Sequence, residues 1–126
     1  MNVKYFALAG LALVAVGLIG DAVLADTPGE TAFRNRCGNC HSLKPGAFSI
    51  APDLTGVIGR KAGSAMGYQY SPALRDAGFV WTPEKLMEWL ASPHNTVQQT
   101  EMPFPGLESE KERAAIIEFL NQRHAK

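Results

Sequence analysis

Chemistry-bearing side chains are scarce in this sequence: two cysteines and three histidines in 126 residues. Charge of either sign in excess is missing too, since 12 Lys and Arg face 12 Asp and Glu. With no basic surplus there is no electrostatic footprint for nucleic acid, and no acidic tail is present. Cys37 and Cys40 lie too close together to staple a fold as a long-range disulfide does, so the pair asks for a local chemical role. No stretch alternates with the period of a strand, which argues against a sheet. Internal repeats and low-complexity tracts are also lacking, which leaves one ordinary domain.

One long apolar run does occur, at the N-terminus. Lys4 supplies a positive flank, residues 5–20 are apolar or glycine, and Val23-Leu24-Ala25 offers small residues to a processing peptidase. This is the pattern of a secretory signal with cleavage after Ala25. The alternative is an uncleaved anchor, although the run is short for a membrane span of ~20 residues and Asp21 interrupts its end. On either reading the domain over 26–126 works outside the cytoplasm, in the periplasm. Removing residues 1–25 takes away one basic and one acidic side chain and leaves the charges balanced. A domain this small often leans on a cofactor or a crosslink to complete its core.

Start and stop signals predict an all-α domain of about four short helices. Thr27-Pro28-Gly29-Glu30 opens the first with an N-cap, a proline at the first helical position and a capping box, and the helix runs toward Cys37. Ser71-Pro72 opens a second, closed by Gly78. Thr82-Pro83-Glu84 opens a third that ends before Pro93. Ser109-Glu110-Lys111-Glu112 is another capping box, with Ile116, Ile117, Phe119 and Leu120 as an apolar stripe out to about Arg123. Residues 42–70 and 95–108 are long irregular stretches rich in Gly, Pro and Ser. Such loops are unusual in a small domain unless they wrap something, and a large apolar disc would suffice.

Cys37-Gly38-Asn39-Cys40-His41 is a C-x-x-C-H motif, the attachment signal for c-type haem. Two sulfurs add to the two porphyrin vinyl groups, and the next residue, His41, then sits beneath the iron. One helical turn brings all three side chains to the same part of the ring. Three rivals compete. A thioredoxin-like pair belongs in a βαβ context that no strand provides here. A zinc site needs two further ligands, and His94 and His124 lack finger spacing. A plain disulfide is the simplest alternative.

From Gly29 to Leu120 the chain resembles class I cytochrome c. Gly29 and Phe33 precede the motif. Pro52-Asp53-Leu54, Gly59-Arg60, Tyr70, Trp81, Leu86-Met87-Glu88-Trp89-Leu90, Pro93, Thr100-Glu101-Met102-Pro103-Phe104 and Gly106 follow it in the family's order. The resemblance implies one covalent haem c and roles for single residues. Met102 would bind iron opposite His41. The Pro52 carbonyl would accept the other imidazole N–H and so orient the ligand. Arg60, Tyr70 and Trp81 would surround a propionate. Gly29, Phe33, Ile116 and Phe119 would join the first helix to the last. Two other methionines compete for the iron, Met66 in a loop and Met87 within the third helix, and His94 is a non-methionine rival. The sequence departs from the familiar pattern at Trp89, where many relatives have tyrosine, at Leu74, where asparagine is common, and at Glu101, which replaces a lysine.

With both axial positions filled, the iron would shuttle electrons and bind no substrate, so the chain is expected to be a monomeric carrier and not an enzyme. A gas-binding or peroxidase-like protein needs an open iron position or a second attachment motif. A quinol–cytochrome c reductase, a terminal oxidase or a periplasmic dehydrogenase are the redox partners the resemblance suggests. The membrane enters only if the leader is retained. A dedicated or tethered subunit of one dehydrogenase or oxidase is the competing arrangement.

Overall fold

The computed structural model describes residues 25–47 and 50–123, and the leader over 1–24 and His124 lie outside the described residues. Five helices follow in order: α1 Pro28–Arg36, α2 Pro72–Arg75, α3 Pro83–Ala91, α4 Pro93–Thr96 and α5 Glu110–Asn121. Among the described residues there is no strand, only an isolated antiparallel bridge between Lys61 and Val80. None of the described helices is long and apolar enough to cross a membrane.

Four of the helices begin where their hydroxyl caps predict. The side chains of Thr27, Ser71, Thr82 and Ser109 accept the backbone N–H three residues on, from Glu30, Leu74, Lys85 and Glu112. Each cap satisfies one of the donors that a helix start leaves without a partner. The acidic residues of the two expected capping boxes are used across the fold: Glu112 accepts from Arg36 at 2.8 Å, and Glu30 lies 3.6 Å from Arg123. Two boundaries differ from expectation. α2 stops at Arg75, two residues before the Ala77-Gly78 turn, so Gly78 (φ +77°) reverses the chain beyond the helix without capping it. α3 does end before Pro93, at Ala91, but Pro93 then opens a further single turn, α4, that was not expected, because a proline at the first helical position forfeits no bond.

α5 is the hub, packing against both α1 and α3. The crossing with α1 is close because Gly29 has no side chain. A Cβ there would lie 2.2 Å from the Ala115 carbonyl oxygen and 2.8 Å from Phe119 Cβ. Phe33 then stacks on Phe119 with ring centroids 5.5 Å apart. The Arg36–Glu112 and Arg123–Glu30 pairs flank the crossing, and as partly exposed pairs they contribute little beyond alignment. Residues 59–62 run beside 79–81, with Gly59 N–H donating to Trp81 O at 2.7 Å, Trp81 N–H to Arg60 O at 2.9 Å and Ala62 N–H to Phe79 O at 2.9 Å. That ribbon fixes Arg60 and Trp81 to each other before any ligand is considered.

Candidate functional site

A cavity of about 380 Å³ opens between α1, α3, α5 and the two long loops. Its floor is hydrophobic core seen from inside: Trp81, Leu86, Trp89, Leu90, Ile116 and Leu120 are all buried and all line it. Every residue singled out from sequence as a binding or ligating group also lines it: Cys37, Cys40, His41, Pro52, Arg60, Tyr70, Trp81 and Met102.

The backbone past α1 keeps turning. Cys37 and Gly38 N–H groups both donate to Phe33 O, and Cys40 and His41 N–H groups both donate to Cys37 O, at 3.0 and 2.9 Å. That turn is what brings two thiols and an imidazole to one wall of the cavity. His41 Nδ1 donates to Pro52 O at 2.8 Å, so its Nε2 is the nitrogen left as an electron-pair donor. Burial holds this imidazole below its usual range; the Pro52 bond opposes the shift, and the charge of Arg60 adds to it. It is therefore neutral at pH 7, the form a metal requires. Burial pushes the Cys37 thiol up to about 11, which keeps it protonated and quiet until chemistry is brought to it.

Arg60 is no solvated surface charge. Its guanidinium donates to Asp53 O at 2.7 Å and Thr55 O at 3.3 Å, and Asp53 Oδ1 lies 4.0 Å away. Tyr70 Oη accepts the Ala65 N–H at 3.3 Å, and the hydroxyl is raised above its usual pKa, chiefly by burial. Tyr70 thus keeps its proton to offer. Trp81 is pinned edge-on between Phe79, at 4.8 Å, and Trp89, at 5.1 Å.

The methionines separate by position. Met66 is 92% exposed, and Met87 Sδ accepts from Arg113 Nε at 3.4 Å. Neither lines the cavity; Met102 does. His94 is exposed and outside it. Among the described residues, no group of three or more His, Cys, Asp or Glu converges as a metal site, so a zinc reading has no further ligands to draw on there.

Some of the wall escaped the sequence reading. Tyr68, packed edge-on to Tyr70 at 4.8 Å, and Ile50, 77% exposed, stand at the mouth. Thr100 is buried, and its Oγ1 accepts a long 3.5 Å bond from Met102 N–H. The Tyr68-x-Tyr70 alternation was a signal for the first, and nothing marked Ile50; Thr100 stood in the motif around Met102, but nothing in the sequence alone marked it as a brace for that residue. Leu74 also lines the cavity, so the departure noted there makes the wall more apolar.

The residues present fit a haem. An apolar, core-lined space is bounded by two thiols, a neutral imidazole with one nitrogen already committed, and a thioether contributed by a distant loop.

Comparison with known proteins agrees. The family model described as Cytochrome c matches residues 27–124. Cytochrome c of Cochliobolus lunatus is 41% identical over 95 residues, covering 75% of this chain and 88% of that protein. Cytochrome c of Arabidopsis thaliana is 39% identical over 108 residues, covering 85% and 93%. Among solved structures, cytochrome cH from Methylobacterium extorquens superposes with a TM-score of 0.70 at 40% identity, covering 75% of this chain and 95% of that one. A domain built around such a wall, alike along nearly all of its described length to these proteins, belongs to the cytochrome c family of haem electron carriers, holds one covalent haem c and exchanges electrons with redox proteins.

Proposed function

We propose that this is an exported, monomeric, monohaem carrier with its iron held between His41 and Met102. It takes single electrons from a quinol-oxidising complex or a periplasmic dehydrogenase and delivers them to a terminal oxidase. The observation that carries the reading is the shared cavity wall: His41 in the turn after α1 and Met102 in the loop before α5 both line it, and neither of the other methionines does. Haem c, when bound, supplies a one-electron ferric/ferrous couple.

The remaining work belongs to the chain. Cys37 and Cys40 would hold the ring by thioether bonds, which would make its loss by dissociation impossible. The Pro52 carbonyl, 2.8 Å from His41 Nδ1, orients the imidazole and makes it a better donor. The soft sulfur of Met102 favours the ferrous state and raises the potential. Arg60, Tyr70 and Trp81 all line the cavity and would receive a propionate, with Tyr70 and the Trp81 indole as neutral donors. Export rests on the sequence pattern of residues 1–25.

Acid–acetone extraction tests the attachment: the colour should stay with the protein, and intact mass should exceed the chain by one haem. Reduced and oxidised visible spectra followed by potentiometry should show a low-spin couple with a positive potential. Extractable haem, or a high-spin iron open to ligands in the native protein, would overturn the reading.

A further inference from the structure

The loop that carries Met102 runs from the end of α4 to the N-cap of α5, and its exit is held in an unusual way. Leu107 N–H donates to Leu90 O at the end of α3, at 2.7 Å. The carbonyls of Leu107 and Glu108 come just before the N-cap Ser109, where no helical donor reaches them. Both accept from one guanidinium nitrogen, Arg113 Nη1, the bond to Glu108 O being 2.9 Å. The Nε of the same side chain lies 3.4 Å from Met87 Sδ on α3. A single planar fork therefore joins the first turn of α5, the loop exit and the middle of α3.

Nothing in the sequence reading gave Arg113 a role, and it does not line the cavity. We propose that Arg113 is a positioning residue for the axial sulfur: it holds the exit of the loop against α3 and α5, and so sets how often Met102 leaves the iron. The inference rests on Met102 being the sixth ligand. The helix packing beneath does not depend on the fork, because Phe33, Ile116, Phe119 and Leu120 form the buried contacts of α5. Losing the fork should therefore free the loop much more than it loosens the fold. A lysine in its place could offer its one ammonium to the carbonyls but could not reach the Met87 sulfur at the same time, since it lacks the second arm of the fork.

The experiment uses ferric holoprotein at neutral pH. Cyanide displaces the methionine sulfur, and the weak near-infrared band of the Fe–S(Met) bond reports the loss. The global urea midpoint is followed by circular dichroism on the same samples. Arg113→Gln should raise the rate of cyanide entry about tenfold, the scale of a lost charge-assisted bond, with Arg113→Lys in between. The global unfolding equilibrium should change by a clearly smaller factor. Unchanged cyanide entry in both variants overturns the proposal. So does an acceleration that the global equilibrium matches factor for factor, since Arg113 would then be a general staple. If Arg113→Gln does not mature, Arg113→Lys carries the comparison alone. A wild-type protein without the near-infrared band fails at the ligand assignment itself, which is a separate and recognisable result.

Discussion

His41 shows how much a single side chain needs around it to become a ligand. Its ring is kept neutral by burial, and its Nδ1 is occupied by the Pro52 carbonyl at 2.8 Å. Only one nitrogen and one charge state remain. Met102 needs less preparation, because a thioether neither titrates nor has a tautomer to choose. Its position in the cavity wall, with Thr100 Oγ1 beside its backbone N–H, is what separates it from Met66 and Met87. Replacing it makes the sharpest test at this scale. Met102→Ala should abolish the near-infrared band, lower the potential, and let carbon monoxide bind the reduced iron, while Met66→Ala should leave all three unchanged. The reverse pattern would place the axial sulfur on the Met66 loop. Trp89, also in the wall, is a residue where the chain departs from its relatives. An indole donates but cannot accept, so no hydrogen-bond relay can pass through it.

At the scale of elements, the crossing of α1 and α5 has the least room to spare. Gly29→Ala would drive a methyl into the Ala115 carbonyl, and backbone cannot step aside as a flexible side-chain tip can. The expected cost is about 1–3 kcal/mol, read as a lower thermal midpoint of the holoprotein with the visible spectrum preserved. A midpoint equal to wild type would mean that the helices slide apart at little cost. The starts of α1, α2, α3 and α5 were the most legible part of the fold in sequence, since a hydroxyl cap followed by proline or by a capping box is a local signal with a local cause. Ends were less so. α2 gave out after one turn because its continuation, Asp76 to Gly78, is taken up by the reversal into the Phe79–Trp81 ribbon. α4 hid because Pro93 reads equally as a stop for α3 and a start for the next turn. Of the site, the C-x-x-C-H motif was legible outright, and the remaining wall only through resemblance. Arg113 was not legible at all, because its work depends on two carbonyls brought to it by chain reversal, and sequence spacing does not record where carbonyls point.

At the scale of the molecule, the cavity and the core are the same surface. Trp81, Leu86, Trp89, Leu90, Ile116 and Leu120 count as buried, yet each faces the space the ring would fill. Removing the filling turns that surface into the lining of a large void, and voids of this kind cost more than a small domain has to spare. A Cys37→Ala, Cys40→Ala chain without haem should therefore show no cooperative thermal melt by circular dichroism; a native-like transition would mean that the helices close on each other unaided. The placement of the two tryptophans has an optical consequence. The chain has no others, and Trp81 and Trp89 stand 5.1 Å apart in the same wall. A visible chromophore in that space would accept their excitation before they could emit, so native holoprotein should be nearly dark when excited in the ultraviolet. Brightness then counts only those molecules whose cavity has come apart or was never filled, which lets emission measure incomplete maturation in a preparation and follow opening during denaturation at nanomolar concentration.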